Sequence, residues 1–261
     1  LDHSLTATVT DPAGNVSNPS APIAVNVDTT APGASGPVVI SNDQSGTPVP
    51  IINGTTNDTT PVLSGTAEVG STVTVSDGTT VLGSVSVGSD GNWSYTTPAL
   101  SEGNHTLSAT VTDAAGNSST TATSVTIIID VTPPVAATDV TVSNGAGTEI
   151  NSGGATNDTT PVISGSAAEG STVNIYNGTE LLGTATVVEG GTWTFIPTTG
   201  LGEGEHSITV TLVAPAGNTS APSTPVIVTL HLTPPDAPAD LVLSNDSTGT
   251  AVPLTIRPTT P

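Results

Sequence analysis

The residues able to do chemistry in this 261-residue chain are carboxylates and amides set in turns. Asp113 opens the string Asp113-Ala114-Ala115-Gly116-Asn117, and Asp11 opens its earlier copy, Asp11-Pro12-Ala13-Gly14-Asn15. A third copy begins with Ala214 instead and ends on Asn218. Some fifteen residues beyond each turn, Asp28, Asp130 and then His231 precede a Thr- and Pro-rich exit, and the copies are spaced by 102 and then 101 residues. A second cluster joins Asp43 to Asn57 and Asp58; its copy keeps Asp158 but has Gly145 in the place of Asp43. Carboxylate and carbonyl oxygens gathered in polar loops are the ligands of hard divalent ions, Ca²⁺ before others, at six to eight oxygens each. The candidate metal ligands are therefore Asp28, Asp113, Asp43, Asn57, Asp58, Asp130, Asp11 and Asp158. The rival reading is that each Asp caps its own turn through the backbone.

Charge narrows the partners. There are 22 acidic residues against one Arg, Arg257, and no Lys, for a net charge of −21. Such a chain cannot neutralise phosphates, which argues against nucleic acid and anionic membrane as partners. The acidity favours cations, or serves solubility alone. Cysteine is absent, which rules out disulfides, thiolate zinc and a thiol nucleophile. No segment approaches the roughly 18 apolar residues of a spanning helix. Residues 1–10 already match the middle of a repeat, so the chain reads as a piece of something longer and its lack of a signal peptide is uninformative. Catalysis is not expected. No nucleophile elbow, phosphate loop or His-Glu-x-x-His occurs, and His3, His105 and His206 stand a full repeat apart. Paired acids could serve glycoside hydrolysis, but here they sit in turns repeated in every unit.

The elements that must position these turns are strands. Leu5, Ala7 and Val9 alternate with threonines, as do Val73 and Val75, and Asp77-Gly78 reads as a hairpin turn. Turn residues recur every 8–12 positions, giving about seven short strands per repeat and no helical period. The fold class this implies is all-β, a linear array of tandem immunoglobulin-like β-sandwiches. Residues 1–32 are the C-terminal part of one repeat, 33–134 and 135–235 are complete domains, and 236–261 begin another, where Ser244-Asn245-Asp246 matches Ser41-Asn42-Asp43 and Arg257-Pro258 departs from the pattern. A closed barrel would want fewer prolines, and a solenoid shorter repeats. Trp93 and Trp193 read as core residues rather than a sugar platform. In a sandwich of this kind Asp113 faces the preceding exit at Asp28, and Asp130 lies at the opposite end. The first junction then has two carboxylates, the second one and the third none, so the rod is expected to loosen along its length.

The strings TNDTTP, SGTAEVGSTVTV, DGNW, EGNHTLSATVTDAAGN and DVTPP resemble the bacterial Ig-like repeats of giant surface adhesins exported by type I secretion. The resemblance spans essentially the whole chain. It implies long stalks on the bacterial cell surface, roles in adhesion and biofilm, and Ca²⁺ at or near domain junctions. The function expected is a non-catalytic, extracellular spacer whose partners are neighbouring repeats of the same chain, with any host or surface ligand bound elsewhere in the parent. It is expected to be monomeric and not to insert into membrane. The alternatives are a module that itself binds glycan or protein, for which two Trp, two Tyr and Phe195 offer few contacts, and an accessory region of a secreted hydrolase.

Overall fold

The computed structural model describes residues 2–237, together with the backbone of 244–245 and 252–253; the rest of the expected further repeat at 236–261, including Asp246 and Arg257, lies outside the described residues. Among the described residues there are strands and no helices. The first piece contributes one antiparallel ladder, β1 (Asp2–Leu5) against β2 (Ile23–Asn26).

The next hundred residues form a two-sheet sandwich. Its strands are β3 (Val39–Asn42), β4 (Val49–Pro50), β5 (Thr55–Thr56), β6 (Val62–Thr66), β7 (Thr72–Asp77), β8 (Thr80–Ser86), β9 (Asn92–Thr96), β10 (Gly103–Thr112) and β11 (Thr123–Ile129). One sheet runs β4-β3-β6-β9 and the other β5-β11-β10-β7-β8. The second unit repeats the plan with β12 (Thr138–Ser143), β13 (Gly154–Thr156), β14 (Val162–Ser166), β15 (Thr172–Asn177), β16 (Glu180–Thr186), β17 (Thr192–Phe195), β18 (Gly204–Val213) and β19 (Val226–Leu230). Its sheets run β12-β14-β17 and β13-β19-β18-β15-β16.

Alternation builds each core. Val73, Val75, Leu107, Ala109 and Val111 point inward from β7 and β10 and are fully buried, while the threonines between them face out. Val173, Ile175, Ile208, Val210 and Leu212 do the same in the second unit. The strand count exceeds seven because the leading segment is cut into pieces, β3, β4 and β5. Pro50 cannot donate to a ladder, and Gly46 and Gly54 take positive φ of 82° and 69°, so the segment leaves one sheet and joins the other. There β5 runs parallel to β11, as β13 does to β19.

Trp93 and Trp193 lie in the cores, each opposite a glycine on the neighbouring strand, Gly65 and Gly165. A Cβ on Gly65 would meet the Trp93 ring at 3.0 Å, and one on Gly165 the Trp193 ring at 2.8 Å. The indole covers the space the glycine leaves open.

Candidate functional site: the joints between units

The turn after β10 and the turn after β18 sit at the leading end of their units, and the strand that follows each carries the chain to the trailing end. Asp113 and Asp28 are thereby brought to one joint, and Asp130 to the next. At the first joint the connecting group is Asn117. Its Nδ2 donates to the Asp28 carbonyl at 3.1 Å and to Asp113 Oδ2 at 2.8 Å. Asp113 Oδ1 accepts from the backbone of Ala115 at 2.9 Å and Asn117 at 2.8 Å. The Asn117 side-chain bond, foremost, holds the Asp113 carboxyl below its ordinary value; partial burial opposes this and the turn's backbone N–H groups reinforce it. Asp11 repeats the arrangement with Asn15, whose side chain and backbone both donate to it, and its carboxyl is lowered chiefly by Asn15 too. Asp28 Oδ1 accepts from Thr30 N at 3.0 Å.

At the second joint Asn218 Nδ2 donates to the Asp130 carbonyl at 2.7 Å, although Ala214 has replaced the turn's aspartate. The turn keeps its shape on backbone bonds alone, Ala214 N to Asn218 O at 2.9 Å and Gly217 N to Ala214 O at 2.8 Å. This joint has a second bond, Asn57 N to Ala216 O at 2.9 Å. Gly217 is required here twice over. Its φ is +99°, and a Cβ would come 3.3 Å from Asn57 Oδ1. Ala216 and Asn218 are buried. The two acidic clusters of the sequence, one around Asn57 and one at Asp130, thus fall at the same end of the first unit, where Asp130 N also donates to Thr56 O.

Asp58 is buried, and its oxygens are filled from its own loop and from the loop after β3. Oδ1 accepts from Thr60 N at 2.9 Å and Thr60 Oγ1 at 3.2 Å, and Oδ2 from Asp43 N at 3.2 Å. Asp158 does the same work, accepting from Thr160 N and, at 2.7 Å, from Gly145 N. Losing Asp43 to a glycine leaves that staple intact because only the backbone N–H is used. Among the described residues no three His, Asp or Glu side chains gather as a metal cluster would. At the first joint the Asp113 oxygens are likewise taken up inside their own turn, by Ala115 N, Asn117 N and Asn117 Nδ2, as a capping aspartate's are, while Asp28 adds hard oxygens of the kind calcium takes.

Sequence reasoning weighed charge and so, although it named Asn57, passed over the amides that close the three repeated turns. Asn15, Asn117 and Asn218 are present in all three copies of the turn, whereas the aspartate is present in two. That contrast was the available signal. It also missed Glu102 and Glu203, each just before a long strand. Glu102 accepts from Thr132 Oγ1 at 2.9 Å, and Glu203 from Leu232 N at 2.6 Å, so each straps the exit segment to its own unit. His231, where the other copies have aspartate, lies 3.7 Å from Glu203 in an exposed pair.

Two of the repeated histidines, His105 and His206, are hydrogen-bonding groups at the trailing end of their units. His105 is buried; its Nδ1 lies 2.7 Å from Asp77 Oδ2 and its Nε2 2.8 Å from the Ser101 carbonyl. Both partners only accept, so the ring is fully satisfied as the imidazolium. Burial, the largest single influence, pulls its pKa down, but the Asp77 bond, the Ser101 bond and the Asp77 charge together outweigh it and the net shift is upward from 6.5. In the second unit Asn177 replaces Asp77. Its Nδ2 donates to His206 Nδ1 at 2.9 Å, and His206 Nε2 lies 2.9 Å from the Gly202 carbonyl.

Residues 34–131 and 132–230 each match the bacterial Ig-like domain family, and the chain belongs to that family. Among solved structures it is similar to a biofilm-associated protein's BSP domain, at 22% identity and a TM-score of 0.28 over 77% of this chain and 30% of that one. It is also similar to a structure of a 1.5-MDa bacterial ice-binding adhesin, at 22% identity and 0.35 over 86% and 73%. A third is the fibronectin(III)-like modules of Clostridium thermocellum CbhA, at 20% and 0.40 over 67% and 87%. The chain thus spans under a third of the first of these. No curated protein matches it.

Proposed function

We propose that this chain is a non-catalytic spacer from a bacterial surface adhesin, a run of sandwiches that holds a binding region away from the cell in adhesion or biofilm growth. The observation that carries the reading is the second joint. There one unit grips the exit of the unit before it through Asn218 on Asp130 and Ala216 on Asn57. Family membership and the tandem order support it, and so does the resemblance of the repeat strings to adhesin stalks. The setting is extracellular and the partners are neighbouring repeats.

Calcium belongs to the first joint in this reading. Asp28 and Asp113 would hold it, with the Asn117 side chain turned to offer its oxygen, and the ion would neutralise both carboxylates, of which the Asn117 amide reaches only that of Asp113. At Kd near 10⁻⁴ M and millimolar Ca²⁺ the gain is about 2 kcal/mol, enough to bias a hinge. Small-angle scattering tests both parts. The intact chain should be extended, Asn218→Ala should add hinge freedom at the second joint, and Ca²⁺ should stiffen the intact chain but not Asp28→Ala/Asp113→Ala. A compact particle would sink the spacer reading; an extended chain indifferent to Ca²⁺ would sink only the calcium site.

A further inference from the structure

Asparagine precedes glycine three times, at Asn53-Gly54, Asn144-Gly145 and Asn177-Gly178. Such a pair is open to self-modification, because glycine places no side chain in the way of its own nitrogen. That nitrogen adds to the asparagine Cγ and ammonia leaves, carrying off the displaced side-chain nitrogen. The resulting succinimide is opened by water at either carbonyl, giving aspartate or isoaspartate. The reaction needs a free backbone nitrogen and a side chain able to turn towards it.

The fold withholds both at two of the three pairs. Gly145 N donates to Asp158 Oδ2 at 2.7 Å, and Asn144 Oδ1 accepts from Ala146 N and Thr148 N. Gly178 N donates to the Ser207 carbonyl at 2.8 Å, while the Asn177 side chain is held by His206 and Ser207. Asn53 is different. It is exposed, lies outside the strands between β4 and β5, and makes no side-chain hydrogen bond among the described residues. The Gly54 carbonyl is pinned by Ile128 N at 2.7 Å, but the Gly54 N–H has no partner among those residues. The second unit has Gly153-Gly154 at this place and so has nothing to convert.

We propose that Asn53 is a site of spontaneous deamidation, protected at neither of the two points that protect its counterparts. Asn53 lines the same cleft as Pro215, Ala216 and Gly217, so conversion puts a new negative charge at the second joint of an already acidic chain.

The test is to age the full chain in neutral buffer, folded and in urea, and to locate converted residues by tandem mass spectrometry of peptides cut after glutamate. In the folded chain Asn53 should convert at least about fivefold faster than Asn144 or Asn177, the factor represented by one net hydrogen bond. In urea the three rates should converge. Native ion exchange should show one more acidic species appearing first, and Asn53→Gln should abolish it. Conversion of Asn144 or Asn177 as fast as Asn53 in the folded chain would overturn the proposal, and so would the same ranking persisting in urea.

Discussion

A single atom distinguishes the two indoles. Trp93 Nε1 donates to Ser35 Oγ at 3.3 Å, whereas Trp193 Nε1 is buried without a partner among the described residues, because Ala137 stands where Ser35 stood. A buried donor left unpaired carries its full desolvation cost. Ala137→Ser should therefore stabilise the second unit by about 1 kcal/mol, and Ser35→Ala should weaken the first by a similar amount, read from urea melts followed by Trp emission. The Asp77–His105 pair makes a second prediction at this scale. A folded pKa raised above 6.5 means stability that is complete at mildly acid pH and fades as pH rises through the raised value. Asp77→Asn, which copies the Asn177 arrangement, should return the His105 titration seen by NMR towards its ordinary value. It should also diminish the acid-side advantage. Should His105 titrate below 6.5 in the unmodified chain, the imidazolium reading fails.

At the scale of the element, the paired glycine and tryptophan explain why a strand interior tolerates a residue that ordinarily weakens it. Gly65→Ala forces its Cβ against a ring that is itself packed on all sides. The loss should be about 1–3 kcal/mol, measured by thermal melting, with Gly165→Ala costing at least as much. Strand alternation, hairpin turns and the hundred-residue period were legible in the sequence because they rest on local rules: Val73 and Val75 announce an inward face without knowing what covers it. The cutting of the leading segment into β3, β4 and β5 was not legible. Its outcome depends on β11 offering a parallel edge, which no local pattern encodes. The joints were half legible. Placing Asp113 opposite Asp28 followed from the sandwich's connectivity, but the choice of Asn117 over Asp113 as the bridging group did not. An amide can donate to two oxygens at once where a carboxylate can only accept, and counting charges hides that difference.

For the whole molecule, the expectation of joints loosening along the chain rested on carboxylates disappearing from one copy to the next. The contacts described above do not follow that order. The second joint has lost its turn aspartate yet holds two bonds across it and buries Ala216 and Asn218, because the first unit brings its own Asn57 loop to the meeting point.

The short parallel ladders β5–β11 and β13–β19 matter most when the molecule is held at both ends. Chain tension enters a unit through its leading segment and leaves through its last strand, so it pulls these two strands past each other along their length. The bonds between them, Ile128 N to Gly54 O and Asp130 N to Thr56 O in the first unit, are then loaded together in shear rather than opened one by one like a zipper. These short ladders thereby become the mechanical latch of each sandwich, and the residues that form them lie beside the joints.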